Sequence, residues 1–258
     1  MSRIKNAFVN GKAFIAFVTG GDPTLDMTQK LILTMQEAGA DLIEIGIPFS
    51  DPVAEGPVIQ EANERALAAG CTTDRLFDAL EEIKDQVRVP LVFLTYINPI
   101  FTYGKEAFMK RCKKAGIDGL IVPDLPYEER EEIAGACDEF GVDLVTMVAP
   151  TSRERIAMVA AGAKGFVYCV SSLGVTGVRS AITTDIGEIV AAVREATDAP
   201  CAVGFGIAEP EQAKAMAALS DGAIVGSAIV KLVAEYGGDC LKPVSDYVRR
   251  MKAAVAEA

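Results

Sequence analysis

The amino-acid sequence predicts a single α/β domain, a parallel (β/α)8 barrel of the TIM type with extra helices. Its 258 residues match the roughly 250 residues that eight strand–helix units need. Short runs rich in Val and Ile alternate with amphipathic segments of helical length, which is typical of βαβ units in a parallel sheet. The sequence has no evident linker or low-complexity tract, so we expect one domain over residues 1–258.

Eight apolar runs predict the eight strands. A doubly wound open sheet is the alternative arrangement, but no GxGxxG fingerprint marks a dinucleotide site. The predicted strands cover residues 13–19, 41–47, 89–95, 118–122, 142–147, 164–170, 200–204 and 221–225.

The segments between the strands carry helix signals. A glycine that suits a helix C-cap precedes four of the strands, at Gly39, Gly116, Gly141 and Gly162. Residues 58–87 hold two helical patterns, and we expect Thr73 or Asp74 to cap the second. Residues 1–10 are expected to form a short extra helix that closes the bottom of the barrel.

Composition excludes several classes of function. The net charge of −11 argues against nucleic acid, whose phosphates require a basic surface. No run approaches the roughly 20 apolar residues of a membrane span, and the six cysteines form no CxxC pair. We therefore expect a cytoplasmic protein that binds neither nucleic acid nor membrane. Because the chain has no histidine, a Ser-His-Asp hydrolase and a His-ligated metal site are excluded.

Glu44 is the first candidate catalytic residue. Side chains alternate along a strand, so Ile43 and Ile45 belong against the helices and Glu44 points into the barrel. Burial raises the pKa of a carboxyl group towards neutrality, which an acid/base catalyst near pH 7 requires. The alternative is a structural carboxylate satisfied by neighbouring N–H groups or a lysine.

The loop after this strand, residues 48–57, holds three prolines and the acids Asp51 and Glu55. Loop acids are usually solvated, but this loop lies above an inward-facing glutamate. Two carboxyl groups in different environments can divide the acid and base roles.

Glycines recur where the last strands end, at Gly204, Gly206 and Gly226, with a helix predicted to begin at Ser227. A third glycine-rich loop, residues 171–177, follows strand 6. Glycines let backbone N–H groups approach an anion, and barrels often hold phosphate after strands 7 and 8. The alternative is that these glycines only allow close helix–strand packing.

Large side chains at other strand ends fill out a pocket. Phe17 ends strand 1, Leu94 and Tyr96 share a face of strand 3, and Tyr168 is on the inner face of strand 6. Singly, each is more often a core residue. Together they suit a flat apolar ligand.

These motifs resemble one family. The run from Asp41 to Gln60, DLIEIGIPFSDPVAEGPVIQ, is similar to the signature of tryptophan synthase α subunits. So are FVTGGDP from Phe17, VPDLP from Val122, GVTG from Gly174, GFGI from Gly204 and GSAIV from Gly226. The matches keep the family's order and span almost the whole chain.

The resemblance implies a lyase that cleaves indole-3-glycerol phosphate into indole and glyceraldehyde 3-phosphate by a retro-aldol reaction. Glu44 corresponds to the family's principal catalytic carboxylate, Tyr168 to a tyrosine beside the indole, and Thr176 to a threonine that orders the second carboxylate. The phosphate cradle corresponds to Gly177, Phe205, Gly206, Gly226 and Ser227. The indole pocket corresponds to Phe17, Ile59, Leu94, Tyr96, Ile121 and Phe205.

One position departs from the family. Its second catalytic carboxylate is usually Asp, whereas this chain has Glu55, which is longer by one methylene, about 1.3 Å. The resemblance also implies a partner, the tryptophan synthase β subunit, in an α2β2 heterotetramer. Pyridoxal phosphate is expected in that β partner, and this chain is expected to hold no cofactor and no metal. Pro48, Asp51 and Asn98 fall where the family meets its partner.

Two other interpretations of the function remain open. Another phosphate-binding barrel, such as indole-glycerol-phosphate synthase, would place a lysine inside the barrel, and no strand offers one clearly. Alternatively, the chain is a regulatory subunit that binds the substrate and activates its partner without cleaving. Release of indole from indole-3-glycerol phosphate separates these readings.

Overall fold

Eight parallel strands close into a barrel, in which each strand pairs with the next along the chain and β8 pairs with β1. The computed structural model describes residues 3–170, 186–204 and 206–258. The predicted fold class is confirmed. The strands are β1 (Ala13–Thr19), β2 (Leu42–Gly46), β3 (Leu91–Leu94), β4 (Gly119–Ile121), β5 (Asp143–Val148), β6 (Lys164–Val170), β7 (Cys201–Gly204) and β8 (Gly222–Val225).

Helices surround the barrel, with additional ones between β2 and β3, between β3 and β4, and after β8. None of the described helices combines the length and the apolar character that crossing a bilayer requires. They are α1 (Leu25–Glu37), α2 (Pro57–Ala68), α3 (Thr73–Ile83), α4 (Ile97–Tyr103), α5 (Lys105–Ala115), α6 (Glu131–Phe140), α7 (Arg153–Ala160), α8 (Ile186–Ala196), α9 (Pro210–Leu219), α10 (Ser227–Tyr236) and α11 (Leu241–Ala256).

All eight predicted strands are present, and their bounds differ from the prediction by at most two residues. Gly116 and Gly141 end their helices in the left-handed conformation, with φ of 76° and 72°. Gly39, with φ of 104°, follows the cap residue of α1. The same prediction for Gly162 is wrong, because α7 ends at Ala160 and its C-cap, Ala161, has the right-handed conformation.

The cap of α3 also differs from the prediction. Thr72 is the N-cap, and its hydroxyl accepts a hydrogen bond from the Arg75 N–H at 3.3 Å. Thr73 is already the first helical residue. A cap residue needs extended backbone so that its oxygen can reach the first turn, and Thr72 has this conformation.

The two faces of each strand contact different layers, as the alternation predicts. Ile43 and Ile45 are buried in the cluster shared with the helices, whereas Leu42 belongs to the cluster inside the barrel. The bottom is closed by a 3-10 helix, Arg3–Phe8, whose Ile4 is fully buried. A side chain at Gly119 would place its Cβ 2.7 Å from Ile4 Cδ1. The predicted closing segment is therefore confirmed, as a 3-10 helix.

A repeated aspartate contact joins neighbouring βα units at the bottom. An aspartate next to the start of one strand accepts a hydrogen bond from a backbone N–H at the start of the strand one unit earlier. The distances are 2.7 Å from Phe14 N to Asp41, 3.0 Å from Leu91 N to Asp118 and 2.9 Å from Cys201 N to Asp221. These N–H groups lie at strand ends, where the sheet ladder does not pair every amide.

We expect Asp118→Ala to lower the free energy of unfolding by about 1–3 kcal/mol, because the buried Leu91 N–H loses its acceptor. Urea unfolding of the two proteins measures the difference. Asp198→Ala is the matched control, since Asp198 is exposed at the same end of the barrel. It should change the free energy by less than about 0.5 kcal/mol. Equal losses in the two variants would contradict a role for the aspartate contact.

Candidate functional site

A cavity of about 560 Å³ opens at the carboxyl ends of the strands, where such barrels hold their active sites. The structure brings together on its wall most of the residues predicted for the site. These are Phe17, Glu44, Glu55, Ile59, Leu94, Tyr96, Tyr168, Gly206, Gly226 and Ser227.

The remaining predicted residues fall into three groups. Ile121 is fully buried among the barrel-interior residues, and the next two residues, Val122 and Pro123, line the described cavity. Thr176, Gly177 and Phe205 lie outside the described residues. Three residues predicted for a partner interface are exposed or half-buried, namely Pro48, Asp51 and Asn98.

Glu44 lies inside the barrel, as the alternation of β2 predicts. Its side chain is 1% exposed, and in register it faces Phe17 on β1 and Val92 on β3. Within the described part of the chain, its Oε1 has no hydrogen-bond partner and no ion pair includes it. Burial raises the pKa of Glu44 from an ordinary value of 4.5 to about 8. At neutral pH the group is therefore mostly a neutral acid that can donate a proton.

Glu55 lies in the loop between β2 and α2, next to the N-cap Gly56, and is also buried, with 5% of its surface exposed. Its Oε2 accepts a hydrogen bond from Asn63 Nδ2 at 2.6 Å. Burial raises the pKa of Glu55, while hydrogen bonds from Asn63 and Tyr96 act in the opposite direction. Asp51 of the same loop is exposed. Of the two loop acids, only Glu55 therefore differs from an ordinary solvated side chain.

Glycines at the strand ends leave room for two aromatic rings. A Cβ at Gly204 would lie 2.4 Å from the Tyr168 hydroxyl oxygen, and one at Gly46 would lie 2.7 Å from Phe17 Cζ. A Cβ at Gly226 would lie 3.2 Å from Phe17 Cδ1. These glycines thus shape the apolar part of the cavity, a role that the sequence analysis did not assign to them.

The last strand ends also fit an anion. Gly206 has φ of 79°, a conformation that side-chain-bearing residues rarely adopt. Helix α10 begins at Ser227, as predicted, with Gly226 as its N-cap. The first N–H groups of a helix have no partner within it and carry partial positive charge. Since Gly206, Gly226 and Ser227 all line the cavity, this part of the wall suits a phosphate group.

Two contacts near Glu55 were missed by the sequence analysis. Asn63 lies about two helical turns along α2 from the loop that holds Glu55. The sequence would predict their contact only if the loop were known to fold back onto α2. Arg65 of α2 donates to Asp22 from Nε at 2.8 Å and from Nη2 at 2.7 Å, and Asp22 is 2% exposed. This pair links the loop after β1 to helix α2 across 43 residues, and no local pattern indicates it.

Metal binding has no support in the described ranges, where no group of three or more Cys, Asp or Glu side chains is arranged to hold an ion. All six cysteines are buried free thiols. The polar groups on the described cavity wall are the carboxyl groups of Glu44 and Glu55, hydroxyl groups of tyrosine, threonine and serine side chains, the guanidinium groups of Arg130 and Arg155, and backbone amides.

Comparison with known proteins identifies the family. A model of the family described as tryptophan synthase alpha chain matches residues 4–256. Chains of that name from Lacticaseibacillus casei and Lactiplantibacillus plantarum are 44% and 48% identical, over 255 and 256 residues. The alignments cover 99% of this chain in both cases, and 96% and 97% of the relatives.

Solved structures agree with the sequence relatives. A chain from Aquifex aeolicus VF5 superposes with a TM-score of 0.89 at 35% identity, covering 98% of this chain and 99% of that one. Mycobacterium tuberculosis tryptophan synthase gives a TM-score of 0.88 at 34% identity, covering 98% and 96%. The chain therefore belongs to the tryptophan synthase alpha chain family.

Proposed function

We propose that Glu44 and Glu55 carry out the reaction of this subunit, a lyase of tryptophan biosynthesis that cleaves indole-3-glycerol phosphate to indole and glyceraldehyde 3-phosphate. One observation carries the proposal. A carboxyl group buried inside the barrel, with its pKa raised to about 8, lines the same cavity as the glycines and the helix start that suit a phosphate. Such a group can both give and take a proton near neutral pH.

Glu44 acts first as an acid. It protonates carbon 3 of the indole ring, which leaves the ring as an iminium cation and Glu44 as a carboxylate. The carboxylate then removes the proton of the glycerol 3′-hydroxyl while the bond between carbon 3 and the side chain breaks. The electron pair of that bond restores the aromatic ring, the hydroxyl carbon becomes the aldehyde, and Glu44 regains its proton.

Glu55 is proposed to accept a hydrogen bond from the indole N–H, which becomes more acidic as positive charge develops on the ring. This role requires the ionised carboxylate. Burial raises the pKa of both acids, but at Glu55 the hydrogen bonds from Asn63 and Tyr96 act against burial and favour the charged form, whereas burial acts alone on Glu44. The two acids thus have the different environments that separate acid from acceptor roles.

The substrate would lie with its indole ring among the apolar wall residues and its phosphate at the glycines. Phe17, Ile59, Leu94, Tyr96 and Tyr168 form the apolar part, with Ile121 packed beneath it. Gly206, Gly226 and Ser227 form the anion part, which Gly177 and Phe205 would complete, and Thr176 would order Glu55. The proposed chemistry uses proton transfer alone and no cofactor of this chain.

The proposal includes an α2β2 assembly with a β subunit that carries pyridoxal phosphate and receives the indole. Asp51 and Asn98 are exposed and Pro48 is half-buried, as residues that meet a partner must be. All six thiols are free, which fits a reducing compartment such as the cytoplasm. The loop after β2 holds both Glu55 and two of these interface residues, so the partner's binding would act directly on the site.

We expect the purified chain to release indole from indole-3-glycerol phosphate slowly, and faster when a saturating β subunit holds the loop after β2 in place. Indole is measured colorimetrically with and without the β subunit. No release under either condition would refute the lyase assignment. Activation of the β subunit without cleavage would favour a purely regulatory subunit instead.

We expect Glu44→Gln to lower kcat by about 10²–10⁴-fold, the usual contribution of a general acid or base. Substrate binding, measured by calorimetry, should change little, because the amide has the shape of the carboxyl group and the phosphate contacts remain. Normal turnover by this variant would show that the proton transfers occur elsewhere. Glu64→Gln, at an exposed position of α2, is the matched control and should be fully active.

The raised pKa of Glu44 also predicts how stability depends on pH. Below about pH 4.5 the group is protonated in both states, and between 4.5 and about 8 the folded state holds a proton that the unfolded chain releases. This contribution to stability is therefore lost as pH rises, by at most about 1.4 kcal/mol per pH unit. Urea unfolding at pH 5, 6.5 and 8 should show Glu44→Gln gaining stability relative to the parent chain as pH rises. Parallel curves would contradict the raised pKa.

A further inference from the structure

The carboxylate of Glu55 is held by a residue of helix α2, Asn63, that does not itself line the active-site cavity. Asn63 is 3% exposed on α2, and its amide donates to Glu55 Oε2 at 2.6 Å. Asn63 lies on the wall of a separate cleft between α2 and the loop after β2, and it is not among the residues described as lining the active-site cavity. Asn63 therefore acts on the reaction through its hydrogen bond to Glu55.

The backbone on both sides of Glu55 is also fixed. Gln60 Nε2 donates to the Glu55 carbonyl oxygen at 2.6 Å, and the Ala54 N–H donates to the Tyr96 hydroxyl oxygen at 3.2 Å. Together with Asn63, these contacts hold the residue at its backbone and at its carboxylate. The loop cannot shift the carboxylate without breaking at least one of them.

Helix α2 is itself anchored two residues beyond Asn63. Arg65 makes two parallel hydrogen bonds to the buried Asp22, which lies in the loop after β1. Two-point contacts between arginine and a carboxylate fix orientation as well as distance. This contact therefore fixes the position of α2, and with it the Asn63 amide, relative to the loop after β2.

We propose that Asn63 is the positioning residue for Glu55, and that the distance between α2 and the loop is matched to glutamate rather than aspartate at position 55. This inference rests on the proposed lyase function. Glutamate spans the distance to the amide at 2.6 Å, whereas aspartate is shorter by one methylene, about 1.3 Å. That deficit exceeds the roughly 0.5 Å range of hydrogen-bond distances. With aspartate at position 55, the amide would lose its contact with the carboxylate.

The proposal predicts strong coupling between positions 55 and 63. We expect Asn63→Leu, which keeps the branched side-chain skeleton but removes the donor, to lower kcat about tenfold with little change in KM. Glu55→Asp should remain active with kcat reduced about tenfold, because it loses the same contact. The double variant should also fall only about tenfold, since the contact can be lost only once. Steady-state release of indole by the complex with the β subunit measures all four proteins.

Three results would overturn the proposal. The first is a double variant reduced about a hundredfold, which would mean that the two side chains act independently. The second is full activity of Asn63→Leu. The third is an unchanged lower-pH limb of kcat in Asn63→Leu, because loss of the amide donor should move the pKa of Glu55 upward and shift that limb to higher pH.

Controls separate these results from misfolding and from failure of the function itself. If Asn63→Leu does not fold, as judged by circular dichroism, Asn63→Ala replaces it in the same cycle, since it adds no atoms to the cleft. Asn10→Ala removes an exposed amide at the bottom of the barrel and should leave kcat unchanged. Absence of indole release by the parent complex would refute the proposed function, whereas an active parent with independent variants refutes only the role of Asn63.

Discussion

The burial of one carboxyl group inside the closed barrel is the constraint on which the rest of the site depends. An isolated charge in such surroundings is costly, so the group stays neutral and its pKa rises. The closed ring of strands is what keeps Glu44 at 1% exposure. An open sheet would let water reach it and would return its pKa towards 4.5. The same strand pairing that stabilises the fold therefore sets the acid strength of the site.

The second carboxylate is controlled differently, by hydrogen bonds rather than by the barrel. A strand position such as Glu44 is fixed by its neighbours in register, whereas a loop position must be fixed by contacts from other elements. Glu55 receives them from α2 and from Tyr96. Active sites require side chains to be placed within about 0.5 Å. Here strand register fixes the position of Glu44, and hydrogen bonds from other elements fix that of Glu55.

The sequence predicted what is periodic or local, and missed what joins distant elements. Alternation along β2 placed Glu44 inside the barrel, and Gly116 and Gly141 marked helix ends through their left-handed conformation. The contact between Asp22 and Arg65 spans 43 residues, so no local spacing indicates it. The partner of Glu55 depends on how a proline-rich loop folds back onto α2, which residue types alone do not determine.

The glycines at the strand ends show why a single motif can carry two functions. Gly204 was predicted to help bring backbone amides close to an anion, yet it faces the Tyr168 ring at a distance where any Cβ would collide. Gly46, for which no role was predicted, faces the Phe17 ring in the same way. Burial of Tyr168 beside Glu44 raises the pKa of the phenol, so its hydroxyl remains neutral. A side chain at Gly204 would push that ring, and the wall around Glu44 would move with it. The absent side chains thus fix the shape of the apolar wall, while the amides of neighbouring glycines remain available to an anion.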